Sequence, residues 1–193
     1  MTRYDIINKL IDIRGYNKFL EIGTYRGDCF NNVHCPIKES VDPDPEAHAT
    51  FQMTSDSFFA QNRKLWGNHY DLIFIDGLHE RNQVWRDICN SVWSLRDGGV
   101  IVMHDCLPTT EKMQEWCNHS RQGEIWTGDV WKAYLKAQNE LPYFTYVIDA
   151  DYGVGILDTT KVISKHFKTI DMEALEWKDF DRSKFDIRDG VVP

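Results

Sequence analysis

Four titratable side chains in two short segments are the residues of this chain best suited to chemistry. Asp76 and His79 stand in FIDGLHERNQV, and His104 and Asp105 in GGVIVMHDCLP. A histidine with an unperturbed pKa of about 6.5 exchanges protons at neutral pH and can act as a general base. Asp76 and His79 are spaced so that both side chains can point into one cleft. Asp76, His104 and Asp105 together make an Asp/His/Asp set able to hold a divalent cation. The same residues also read as a helix cap and a hydrogen-bonded polar network, and residue types alone leave both readings open.

Two further segments carry binding chemistry. In FLEIGTYRG, Gly23 and Gly27 allow a tight turn and a close backbone approach, and the helix that follows offers a positive N-terminus. Asp42, in Ser40-Val41-Asp42, ends the next strand, where a carboxylate can accept both hydroxyl protons of an adenosine ribose. Separately, these segments are an ordinary turn and a cap before Pro43. In this order, each at the end of a strand, they read as a nucleotide-type site.

The elements that must position them alternate as strand and helix. A first helix over about Ile6 to Ile13 precedes a strand at Lys18 to Ile22, and a short helix through Phe30 and Val33 follows the glycine turn. Strands are predicted at Glu39 to Val41, more weakly at Phe51 to Met53, and at Tyr70 to Ile75 and Val100 to Met103. The last two are short continuous apolar runs, the pattern of strands buried on both faces. A helix is expected over about Ser57 to Leu65, and another carries an apolar stripe of Val84, Ile88, Val92 and Leu95. Residues 108 to 140 read as interrupted helix with a loop at Gly123 and Gly128. Phe144 to Ile148 and Val154 to Leu157 read as an antiparallel hairpin. Parallel βαβ units then place all four segments at the carboxyl ends of strands, where open α/β sheets bind ligands. Residues 158–193 are a charged tail with scattered aromatics.

At 193 residues the chain suits one domain. The net charge of −8, with no basic cluster beyond pairs such as Arg63-Lys64, argues against a nucleic-acid partner. No apolar run approaches the roughly eighteen residues of a membrane span, and the N-terminus lacks the apolar core of a signal peptide, so a cytoplasmic location is expected. Five cysteines (Cys29, Cys35, Cys89, Cys106 and Cys117) with no CxxC pair argue for reduced thiols rather than a disulfide framework or zinc site. Oligomeric state is not legible.

Taken together, the segments resemble class I S-adenosylmethionine-dependent methyltransferases. Glu21-Ile22-Gly23-Thr24-Tyr25-Arg26-Gly27 resembles their first motif, which packs against the methionine part of the cofactor. The resemblance implies Asp42 at the ribose and Asp56 near the adenine. It also implies a Rossmann-like, mostly parallel seven-stranded sheet with helices on both faces and a C-terminal antiparallel hairpin. The core would span about residues 17–157, with 158–193 as an extension.

A closer resemblance is to small O-methyltransferases with an Ile-Asp-Gly-x-His motif followed by Gly-Gly-x-Ile-x-x-His-Asp, among them macrolide-sugar and polysaccharide-associated types. It implies a sugar or other small polar acceptor, Asp76 and Asp105 in the catalytic site, and His79 as the base that takes the acceptor's hydroxyl proton. It also implies closure of the Trp126 to Lys132 segment over the acceptor, with Lys132 or Asp129 in contact. In metal-dependent relatives Mg2+ or Mn2+ would sit on Asp76 and the next acidic pair. This chain has His104-Asp105 where Asp-Asp or Asp-Asn is usual, which leaves a metal-free mechanism as the second reading. A nicotinamide-dependent oxidoreductase would share the glycine turn and Asp42 without needing Asp76, His79 and Asp105. A non-catalytic cofactor-binding protein would keep the pocket alone.

Overall fold

The computed structural model describes residues 1–62, 69–115 and 125–191. Arg63, Lys64, Leu65, Cys117 and Gly123, named above, lie outside them. The chain runs α1 (Arg3–Arg14), β1 (Lys18–Ile22), α2 (Asp28–Asn32), β2 (Ile37–Val41), α3 (Ser55–Gln61), β3 (Tyr70–Ile75) and α4 (Arg81–Ser94). It continues as β4 (Leu95–Met103), α5 (Glu111–Gln114), α6 (Val130–Glu140), β5 (Tyr143–Ile148), β6 (Val154–Val162) and β7 (Ile187–Arg188). Cys29, Cys35, Cys89 and Cys106 are free thiols.

The strands form one seven-stranded sheet in the order β2-β1-β3-β4-β6-β5-β7. Strand β6 pairs antiparallel with both β4 and β5, and every other pairing is parallel. The apolar runs explain the layers. Along β3 and β4 successive side chains point to opposite faces. Ile73, Ile75, Ile101 and Met103 meet Val84 and Ile88 of α4 and Trp131 of α6 in one core. Leu72, Phe74, Val100 and Val102 meet Ile6, Ile7, Leu10 and Ile11 of α1 in the other. Helix α1 is closed at its start by a Thr2/Asp5 capping box and at its end by left-handed Gly15.

The seventh strand is not the expected one. Phe51 makes a single bridge to Val41, and Phe51 to Met53 form no strand. The stretch has too few alternating residues for a ladder, and Thr50 instead exchanges hydrogen bonds with Ser40. The seventh strand comes from the tail, where β7 adds to β5 at the opposite edge. Trp177 and Phe180 stack together, Phe180 packs edge-on to Trp131, and Phe185 stacks on Tyr134, so the tail's aromatics fasten it over α6.

Register delivers the site. Ile22 pairs level with Val41 and with Ile75, and Ile75 with Met103. The following residues Gly23, Asp42, Asp76 and His104 therefore leave the sheet along one edge. The chain order reverses between β1 and β3, the place where such sheets open a crevice.

Candidate active site

A cleft of about 840 Å³ opens at that edge. Glu21, Gly23, Thr24, Tyr25 and Asp42 line one side, and Asp76, His79, His104 and Asp105 line the other. The two sides touch at Gly23. Its φ is +89°, and a Cβ there would fall 2.2 Å from the Asp76 carbonyl oxygen, so only glycine fits.

On the first side, Asp42 organises the turn. Its Oδ2 accepts the Thr24 and Tyr25 backbone N–H at 2.8 and 2.9 Å, and its Oδ1 accepts that of Asp44 at 2.9 Å. The Thr24 and Tyr25 amides are therefore spent on Asp42, while Asp28 and Cys29 at the start of the five-residue α2 line the cleft. Gly27 starts α2 with φ +77° and does not line the cleft. Glu21 is 1% exposed, and burial pushes its carboxyl up to about 8. Buried Glu21 Oε2 and Thr24 Oγ1 have no hydrogen-bond partner among the described residues. A cofactor with hydroxyls and an ammonium group would satisfy both, so the residues fit S-adenosylmethionine.

Asp56 does not reach the cleft. It is exposed on α3, 3.3 Å from Arg86 Nε, because the helix begins at Ser55 and turns it outward. Thr54, Ser55, Gln83 and Asp87 line that end instead. Asp87 is buried on α4, and burial lifts its carboxyl to about 7 against hydrogen bonds from Ser55 and Gln83. Sequence reading missed it because it sits mid-helix, away from any strand end.

The second side is a ring of charges. His79 Nε2 lies 3.3 Å from Asp76 Oδ1 and its Nδ1 3.1 Å from Asp105 Oδ2. His104 Nδ1 lies 3.2 Å from Asp76 Oδ1 and 3.3 Å from Asp105 Oδ1, and its Nε2 3.5 Å from Asp151 Oδ1. Arg3 closes the ring, with Nε 3.3 Å from Asp76 and Nη1 3.1 Å from Asp151. Burial opposes charging His104, yet the charge of Asp76 and bonds to Asp105, Asp151 and Asp76 raise its pKa to about 12. His79 is raised in the same way, burial being outweighed by Asp76 and Asp105. Asp76 is lowered despite its burial, first by His104 and then by His79. Asp105 adopts φ +60°, an uncommon conformation outside glycine that is concentrated at functional sites.

Arg3 and Asp151 are the members that sequence reading missed. Arg3 is the first residue of α1, and Asp151 lies in the β5–β6 turn. That turn is held against the end of β4 by Cys106 N–H to Gly153 O and Leu107 N–H to Tyr152 O. Neither residue shows a local signal, since each is brought in by packing of a distant element.

The expected metal set is corrected here. The donors that converge within 4.8 Å of one another belong to Asp76, His79 and Asp105, with His79 where His104 was expected. His104 stands outside that set, its Nδ1 facing Asp76 and Asp105 and its Nε2 facing Asp151. Asp76, His79 and Asp105 are the donors arranged so that they could hold a divalent cation.

The Trp126 to Lys132 segment is clamped onto His79. The Trp126 ring stacks on the imidazole at 5.0 Å and 25°. Gly128, at φ +60°, comes so close that a Cβ would fall 1.8 Å from His79 O, and Asp129 N–H donates to that same oxygen. Trp131, the other tryptophan of the segment, is fully buried in the core.

Residues 20–106 match a family described as a methyltransferase domain. No curated protein matches the chain. Among solved structures, an O-methyltransferase from Bacillus cereus in complex with SAH is similar at 15% identity and TM-score 0.59, over 84% of this chain and 80% of that one. The O-methyltransferase TomG from Streptomyces achromogenes, involved in tomaymycin synthesis and solved with SAM, is similar at 11% identity and TM-score 0.58, over 84% and 80%. The SAH-bound methyltransferase PaMTH1 of Podospora anserina is similar at 16% identity and TM-score 0.54, over 80% and 76%. The fold is that of class I methyltransferases.

Proposed function

We propose that this chain is an S-adenosylmethionine-dependent methyltransferase that methylates a hydroxyl of a sugar or another small polar molecule, with His79 as general base. The observation that carries the reading is the contact of Gly23 with Asp76. It joins the cofactor-type turn and the histidine–carboxylate ring in one cleft. The methyltransferase-domain match over residues 20–106, and the SAH and SAM held by proteins of the same fold, support it.

When bound, S-adenosylmethionine supplies an electrophilic methyl group. Glu21, Thr24 and Asp42 bind its polar groups. His79 accepts the acceptor's hydroxyl proton at Nε2 once Asp76 yields that nitrogen to the acceptor, while Asp105 at Nδ1 holds the ring and stabilises the imidazolium that forms. Trp126 covers His79 and excludes water, and fixing the hydroxyl beside the methyl group supplies much of the rate. Arg3 and His104 offset part of the carboxylates' charge, which favours the metal-free reading of the reaction.

A thermal-shift panel with S-adenosylmethionine, S-adenosylhomocysteine and NAD tests the reading. A ligand at one hundred times its Kd stabilises the native state by about 2.7 kcal/mol. For a domain of this size that is a rise of roughly 5–10 °C in Tm. The methyl donor and its product should give that rise and NAD none. Stabilisation by NAD alone would establish the oxidoreductase reading instead.

A further inference from the structure

Behind the stacked His79–Trp126 pair lies a second, smaller cavity of about 240 Å³. His79 and Trp126 line both spaces. Pockets for drug-sized ligands measure about 300–1,000 Å³, which makes this one large enough for a single ring-sized group.

Lys132, Arg81 and Gln114 bring hydrogen-bond donors to its lining. Lys132 is only 9% exposed, yet its ammonium makes no hydrogen bond among the described residues, and its ion pair with Asp129 is long, at 3.7 Å. Asp129 is already committed, with Oδ1 accepting the Arg81 backbone N–H at 2.7 Å and Oδ2 accepting Arg81 Nη1 at 2.6 Å. Arg81 Nε is buried with no partner among the described residues. Gln114 Oε1 accepts Trp131 Nε1–H at 2.8 Å, which leaves its amide N–H2 as the end free to donate. An unmade hydrogen bond of a buried group is costly, and Arg81 Nε is such a group; with the Lys132 ammonium and the half-exposed Gln114 amide in the same lining, the donors mark a place for accepting oxygens.

Charge decides what kind of oxygen. Arg81 and Lys132 are matched by Glu80, Glu115 and Asp129 in the same lining, so an anion gains no net attraction there. A hydroxyl suits both sets, since it accepts from Lys132 and Gln114 and donates to a rim carboxylate.

We propose that this cavity is a specificity subsite for the acceptor, binding an uncharged, multiply hydroxylated group through Lys132 and Gln114, with Glu115 at its rim and the Trp126 ring as its apolar wall. The proposal rests on the methyltransferase reading and narrows the earlier expectation for this segment. Lys132 makes the contact, and Asp129 serves Arg81.

The test is saturation-transfer NMR of the full chain with three probes: methyl glucopyranoside, glucuronate and glucose 6-phosphate. S-adenosylhomocysteine affinity is measured in parallel by calorimetry. Methyl glucopyranoside should bind in preference to both anions, and Lys132→Met should weaken it at least tenfold while leaving S-adenosylhomocysteine affinity within twofold. Gln114→Ala, at the half-exposed end of α5, provides a second variant if Lys132→Met does not fold. Absence of binding by methyl glucopyranoside, preference for either anion, or indifference to both variants would overturn the subsite. Loss of S-adenosylhomocysteine binding in the parent would instead overturn the methyltransferase reading and leave the sugar result standing.

Discussion

Strand β3 carries an aspartate at each end, and the two are used in opposite ways. Asp71, near its start, accepts the backbone N–H groups of Asn17 and Lys18, both at 2.8 Å, and pairs with Arg96 at 2.9 Å. Asp76, after its last residue, pairs among the described residues with side chains that can ionise, Arg3, His79 and His104. A carboxylate that takes main-chain donors splices segments together. One surrounded by imidazoles and a guanidinium stores and moves charge. Asp42 has partners of the first kind while lining the cleft, so it works both as a splice and as a wall of the site.

The contrast breaks hardest at His79. His79→Gln should lower turnover roughly 10²–10⁴-fold, the usual contribution of general acid–base catalysis, with S-adenosylhomocysteine affinity nearly unchanged. Near-parental turnover of the folded variant would transfer the role to His104. The parent's rate should rise with pH through a value above 6.5, because Asp76 and Asp105 stabilise the protonated ring more than burial and nearby His104 disfavour it. Asp105→Asn removes one of those charges and should move the limb to lower pH. A limb at or below 6.5 in the parent would contradict the ring.

Asp42→Ala should come next in size. Losing charge-assisted bonds to the cofactor costs on the order of 1.5–3 kcal/mol, roughly 10–150-fold in S-adenosylhomocysteine affinity by calorimetry. Because Asp42 also holds the Thr24 and Tyr25 amides, those two should exchange hydrogen faster in the variant. Equal affinity with faster exchange would leave Asp42 a splice only.

Asp71→Ala sharpens the other end of the strand. It should cost about 1.5–3 kcal/mol in denaturant unfolding and leave cofactor affinity and kcat unaltered. A loss of activity without a loss of stability would erase the distinction between the two aspartates. The smallest effect expected is from a chelator. Thorough EDTA treatment should change activity by less than about twofold, since Arg3 and His104 already offset two of the three carboxylates; restoration of lost activity by Mg2+ or Mn2+ would show that Asp76, His79 and Asp105 hold a cation.

The elements that could be read in advance are those with a local cause. Lys18–Ile22 and Tyr70–Ile75 match the predicted strands residue for residue, the second because a short apolar run bounded by polar turns has one use in a two-faced sheet. The hairpin was equally legible, and so was the placing of Asp42, Asp76, His79, His104 and Asp105 on one edge. Phe51 to Met53 failed for the converse reason, since so short a run has no pattern to specify pairing. Register and partner choice were legible only in the folded chain. Levelling of Ile22, Val41, Ile75 and Met103 brings the four segments into one cleft, and a helix start far outside the motifs brings Arg3 to Asp76.

Residue types and spacing determined which side chains could do chemistry and at which edge of the sheet they emerge. Tertiary structure alone decided what each one does there. It turned Asp56 outward and drew Asp151 in from a hairpin turn. It put Trp126 over His79 while burying Trp131, and surrounded His104 with carboxylates. Side-chain direction within an element follows the local period, but a side chain's partners come from whatever distant element packs against it. Proton affinity depends on those partners, and so does the role of each residue.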